Sequence, residues 1–204
     1  MFDVSLFLRL FHPRISFSVL LIVLAIAIVA TCAVLAFANT RKFRNIILVW
    51  LIACLYLMFH IAIFGRESRE FYSLHLIPFW SIESIQNGFV ETLYEKLNNI
   101  LFFIPFGCLL GMWFSLGTRS TSRSNSSNVS LQVKRPLLLM PISKVLIHSL
   151  IAGITTSIVI ELLQLITKTG TCETDDVICN TVGCAVGAGV ATTICWSIRK
   201  LRIK

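Results

Sequence analysis

Four stretches of this chain, Ile15 to Thr40, Asn45 to Gly65, Leu97 to Thr118 and Val177 to Ile198, contain no Asp, Glu, Lys or Arg. A fifth, Val145 to Thr167, holds a single acid, Glu161. A bilayer core about 30 Å thick is crossed by about 20 helical residues, so each of the five is long enough to span it. The expected class is therefore all-α, a polytopic transmembrane bundle of about five spans. Composition agrees: charged residues make up 14% of the chain, where a soluble protein carries roughly 25%. The uncharged run Phe71 to Ile82 is too short to cross and contains Pro78. Its centre, Leu76 to Phe79, reads as interfacial or re-entrant.

These runs divide the chain into three parts. Residues 1–44 form an N-terminal segment with an added first helix, whose apolar run exceeds the about 7–15 residues of a signal-peptide core and so reads as an uncleaved anchor. Residues 45–198 form the membrane domain, with spans near 45–65, 97–118, 145–167 and 177–198. Between the second and third of these, 118–144 is a flexible loop with a Ser- and Asn-rich first half. Residues 199–204 are a basic tail.

The charges set an orientation. Loops on one side would hold Arg41, Lys42, Arg44, Arg119, Arg123, Lys134, Arg135, Lys144, Arg199, Lys200, Arg202 and Lys204, with no acid. Nine of the ten acids fall on the other side. Cytoplasmic loops concentrate Lys and Arg, so the expectation is an N-terminus outside and a C-terminus in the cytoplasm. The net charge of +8 then reflects topology and anionic lipid, not nucleic acid. The Asn125 and Asn128 N-x-S triplets fall on the cytoplasmic side and predict no glycosylation. Most cysteines lie within apolar runs as small packing residues; only Cys172 and Cys179 are placed to pair near the outer surface. The four histidines lack metal-ligand spacing.

Ionisable and amide groups inside spans are costly and mark function or helix-to-helix hydrogen bonding. Glu161 sits about two turns from the outer end of its span, with Gln164 on the same face. Glu173, Asp175 and Asp176 follow Gly170. Asp176, Asn180, Gly183 and Gly187 form one narrow helical stripe whose glycines admit a close neighbour and whose upper part presents an acid and an amide to it. An Asp there also serves as a helix cap. The preceding span carries Asn98 and Asn99 at its outer end, with Pro105 and Gly107 deeper. Arg66, closing an earlier span, supplies a cation for the acids or for an anionic ligand, or anchors at the interface. The expected site is one outward-opening polar pocket of Arg66, Asn99, Glu161, Gln164, Asp175, Asp176 and Asn180, walled by four helices.

The same residues resemble the VanZ-like family of bacterial membrane proteins. The matching pieces are Leu76-Ile77-Pro78-Phe79, then Asn99-Ile100 leading to Phe103-Ile104-Pro105-Phe106-Gly107, then Glu161-Leu162-Leu163-Gln164. Gly170-Thr171 and Asp175-Asp176-Val177-Ile178-Cys179-Asn180-Thr181-Val182-Gly183 complete the series. Glu173-Thr174 departs from the usual approach to the Asp pair, which touches any role needing a third Asp. The resemblance covers some three quarters of the chain and leaves the first span outside it. It implies a part in resistance to glycopeptide antibiotics, teicoplanin in particular, by a mechanism left open.

Three functions fit these residues. One is a non-transporting envelope factor that binds or alters a lipid-linked envelope component or a lipoglycopeptide. Another is an intramembrane enzyme, with Glu161, Asp176 and Asp175 as acid, base or oxygen ligands of a divalent cation. The third is a small transporter, against which stands the lack of an inverted repeat. The bilayer is the one partner expected of all three, and no other cofactor is evident.

Overall fold

The computed structural model describes residues 40–64, 66, 68–116 and 140–203. The anticipated first span, most of the 118–144 loop and both N-x-S triplets lie outside these. Element α1, Thr40–Phe59, continues into a π-helical turn at His60–Phe64. Then come β1 (Ser73–His75), α2 (Trp80–Gln86), α3 (Val90–Ser115), α4 (Ile142–Thr167), β2 (Thr171–Glu173) and α5 (Thr174–Ile203). Among the described residues four helical stretches are long and apolar enough to cross a membrane: Arg44–Phe64, Val90–Ser115, Ile142–Thr167 and Thr174–Ile198. The all-α membrane bundle expected from the charge-free runs is what the described residues form.

All four long helices begin earlier than their uncharged runs, α1 at Thr40 ahead of Asn45. The anticipated 97–118 span starts at Val90, the 145–167 span at Ile142, and the 177–198 span at Thr174. The reason is physical: a helix end at the membrane boundary tolerates charge, and a charge deeper in the bundle is tolerated when paired. A charge-free run therefore marks the inner limit of a helix rather than its start.

Small residues set the packing. A Cβ on Gly183 would lie 2.1 Å from the Ile100 carbonyl oxygen, and one on Gly187 2.1 Å from that of Ile104. In return, a Cβ on Gly107 would lie 2.1 Å from the Cys184 carbonyl oxygen. Contacts that advance together along both chains show that α3 and α5 run parallel, backbone against backbone. This close approach is the use of small residues where lipid gives no hydrophobic drive to association. α4 runs antiparallel to α5: Asn180 meets Ser157, and Cys184 donates to the Ser149 carbonyl at 3.3 Å. Phe103, Phe106, Leu109 and Met58 fill the core between α1 and α3.

At one end of the bundle the non-helical pieces gather. β1 pairs in parallel with β2, Ser73 opposite Thr171 and His75 opposite Glu173. The ends of α1 and α4 and the starts of α3 and α5 meet here. The anticipated interfacial segment is thus an exposed turn, Leu76 to Phe79, leading into the short helix α2. At the opposite end Arg44 lies 4.7 Å from the centroid of the Trp113 ring.

Candidate functional site

Lys96 is the centre of the site, one and a half turns into α3. Its side chain reaches the end of β2 and the start of α5, with Nζ 2.5 Å from Glu173 Oε2 and 2.5 Å from Asp176 Oδ1. Trp80 of α2 lies over it, the ring centroid 5.3 Å from Nζ, within the range of a cation–π contact. Lys96 is only 6% exposed. An ammonium so buried is stable only when paired and hydrogen-bonded; two carboxylates and an aromatic face meet that need. Sequence alone leaves Lys96 just ahead of the charge-free run that begins at Leu97 and so outside the span, whereas the helix begins at Val90. The available signal was its place seven residues after Phe89-Val90, two residues ahead of Asn98-Asn99.

Glu161 stands beside this group. It is 3% exposed, and its Oε2 accepts the Glu173 backbone N–H at 3.0 Å. Asp176, Glu173 and Arg66 all act on it electrostatically, and Arg66 acts on Asp176 as well. Arg66 follows the π turn of α1, and a Cβ on Gly170 would lie 2.9 Å from its Nη1 and 3.2 Å from Gln164 Oε1. Gly170 is thus the gap through which Arg66 and Gln164 approach the turn after α4. Gln164 donates from Nε2 to the Ala62 carbonyl at 3.2 Å. Ala62 lies in the last turn before the helix ends at Phe64, where carbonyls lack an intrahelical partner.

Asp175 does something different. Its carboxylate accepts the backbone N–H of Phe79 at 2.5 Å and of Ser81 at 2.9 Å, together with the Ser81 hydroxyl. An acid at a helix N-terminus satisfies orphan donors, and here it caps α2 from α5 instead of its own helix. Phe79 is held at φ 66°, a left-handed conformation unusual for a residue with a side chain. Thr174 donates to the Leu76 carbonyl at 3.1 Å. Of the proposed acids, Asp175 is therefore committed to fixing the segment that carries Trp80.

Asn180 lies one turn beneath Asp176, as Ser157 lies one turn beneath Glu161, and its Nδ2 donates to the Ser157 hydroxyl at 2.9 Å. Its amide faces α4, whereas Gly183 and Gly187 face α3; the stripe read as meeting one neighbour sits at a seam between two. Asn180 Oδ1 is buried without a hydrogen-bond partner. Asn99 is half-buried on α3, three residues past Lys96 and so on the same side of the helix. Pro78 sits in the turn before α2, and Pro105 lies inside α3.

Among the described residues no three His, Cys, Asp or Glu side chains are grouped to hold a metal ion. Of the acids expected to offer oxygens to a divalent cation, Asp176 pairs with the Lys96 ammonium, Asp175 accepts from Phe79 and Ser81, and Glu161 accepts from the Glu173 backbone. Cys172 and Cys179 are both free thiols.

No curated protein and no solved structure matches the chain. The sequence model of the family described as VanZ/LLP1 matches residues 43–196, which takes in every residue of the cluster. The charged group at one end of a four-helix membrane bundle therefore belongs to a member of a defined family: the chain belongs to the VanZ/LLP1 family.

Proposed function

We propose that this protein is an envelope factor of the extracytoplasmic membrane face that lowers susceptibility to glycopeptide antibiotics such as teicoplanin, by engaging a lipid-linked envelope component at its charged cluster. The observation that carries this reading is Lys96, buried between Glu173 and Asp176 with Glu161 and Arg66 alongside. Five ionisable groups gathered at one end of a membrane bundle are more than packing requires, and replacing such groups with apolar ones often costs nothing in stability. Their presence in a membrane protein supports a ligand.

Orientation supports the outer face. The cluster lies at the end where α1 and α4 finish, and the basic residues without acids lie at the start of α1, the start of α4, the end of α5 and in the connection from α3 to α4, which belong to the other end. The bias of Lys and Arg toward the cytoplasm supports a cluster on the outside. The acid–base chemistry of an enzyme would fall to Glu161 and Asp176, the two acids of the expected set not used to cap α2.

The test is teicoplanin susceptibility of a sensitive bacterium expressing the chain, with membrane abundance measured in parallel. Wild type raises the tolerated concentration, while Lys96→Met and Asp176→Asn abolish the increase even when expression is adjusted to match wild-type abundance. Full protection by both variants overturns the role of the cluster. No protection by the wild type overturns the antibiotic reading. A topology reporter fused after Lys204 gives cytoplasmic activity if the orientation holds.

A further inference from the structure

The segment between α1 and α3 has two faces of opposite character. Inward, Trp80 covers the Lys96 ammonium and Ser81 is buried against Asp175. Outward, Ile77 is 75% exposed, Phe79 59%, Ile82 51% and Phe89 60%. These side chains belong to a part of the chain that does not span. Left in water, so much apolar surface would be a liability, because soluble surfaces rarely expose contiguous patches of this kind.

What covers the patch is fixed by its neighbours. Phe64 and Ile166, the last apolar residues of α1 and α4 at this same end, are 76% and 69% exposed, and both helices cross the membrane by length and composition. The patch therefore continues the lipid-facing surface of two spans. Its rim is basic and aromatic: Lys168 lies 4.7 Å from the Tyr72 ring centroid, and Arg69 Nη1 donates to the Thr171 hydroxyl at 3.0 Å. Amphipathic rings and snorkelling cations are the side chains that settle at the headgroup level.

We propose that the segment from Phe71 to Phe89 is a strap seated in the outer-leaflet lipid interface, so that the Lys96 cluster is entered from the lipid side, by a ligand carrying an acyl or polyprenyl chain, and not from bulk water. The geometry gives the strap a fastening and two bends. Asp175 holds its N-terminal turn through Phe79 and Ser81, and positive φ angles at Phe79 and Gly88 bracket α2. Releasing the Asp175 contacts swings Trp80 off the ammonium and opens the cluster toward the acyl chains. The ligand class rests on the reading of the cluster as a binding site; the seating of the strap does not.

Trp80 is the reporter. In a Trp50→Phe, Trp113→Phe, Trp196→Phe variant reconstituted in nanodiscs, lipids brominated near the headgroup quench Trp80 fluorescence strongly and aqueous iodide quenches it little. Iodide quenching that exceeds bromolipid quenching overturns the proposal, because the site then faces water. Quenching by neither also overturns it, because protein then covers the strap. Since three substitutions can harm folding, benzoylphenylalanine at Ile77 or Phe89 in the otherwise unchanged chain gives a second measurement. Photolysis yields lipid adducts if the strap is seated; adducts to a second copy of the chain, or none, overturn it. The strap can pass both tests while Lys96→Met retains full antibiotic protection, an outcome that removes the ligand and leaves the seating.

Discussion

Lys96 Nζ and Asp176 Oδ1 stand 2.5 Å apart, joining the second turn of α3 to the first turn of the parallel α5 across 80 residues of sequence. The same nitrogen reaches Glu173 in β2, so one ammonium ties α3, α5 and the strand between α4 and α5. Removing one partner of such a group leaves the other charges buried and unpaired. Lys96→Met should destabilise the folded protein by about 3–5 kcal/mol, measured by thermal unfolding in detergent. Lys96→Arg should not restore it, because a planar guanidinium does not reproduce a compact ammonium between two carboxylates. A combined Lys96→Met, Glu173→Gln, Asp176→Asn variant should recover much of the loss. If the single and triple variants unfold alike, the pairing contributes no stability.

Asp175 should govern the strap rather than the bundle. Its two backbone contacts and one hydroxyl contact fix Phe79 and Ser81, and hydrogen bonds to a charged group contribute about 1.5–3 kcal/mol each. In Asp175→Ala, amide exchange should accelerate at Phe79 and through α2 while α3 and α5 stay protected. Uniform acceleration across all four long helices would show that the acid stabilises the whole fold instead.

Much of the bundle was legible because hydropathy is a bulk signal: a charge-free run of twenty residues has few alternatives to a span. The stripe of Asp176, Asn180, Gly183 and Gly187 was legible for the same kind of reason, since helical period alone puts them on one side. What the period does not reveal is that this side meets two helices, so that Asn180 turns to Ser157 while Gly183 turns to Ile100. Lys96 was missed because a rule that seeks uncharged segments excludes any charge that is buried and paired. Glu173 looked like one more loop acid, and the reach of Asp175 to Phe79 joins residues whose proximity depends on the β1–β2 pairing. Long-range partners of this kind leave no local trace.

The α3–α5 contact should fail sharply on adding a single methyl group. A Cβ at Gly183 or Gly187 would sit 2.1 Å from a carbonyl oxygen of α3, and a helical backbone cannot give way as a flexible side chain does. Gly183→Ala and Gly187→Ala should each cost about 1–3 kcal/mol by overpacking and lower the unfolding temperature in detergent. Gly189 has open space where its Cβ would go, so Gly189→Ala on the same helix should be neutral or slightly stabilising, given the better helix propensity of Ala. Equal losses at all three positions would show that helix propensity or lipid contact, not the α3 backbone, sets the effect.

Cys172, in β2, offers a chemical readout of the cluster. Burial pushes its thiol above the ordinary value, and the negative charges of Glu161, Asp176 and Glu173 push it the same way. A raised pKa leaves less thiolate at neutral pH, and the thiolate is the reactive form. In a variant whose other cysteines are Ala, alkylation of Cys172 by iodoacetamide should be slow at pH 7 and rise steeply toward alkaline pH. Asp176→Asn removes one of the three charges, which lowers the thiol pKa and should shift the rate profile toward lower pH. Salt separates charge from loosening: a shift caused by the lost carboxylate shrinks as ionic strength rises, whereas one caused by relieved burial does not. An unmoved profile in Asp176→Asn would place the acids too far from β2 to act on it.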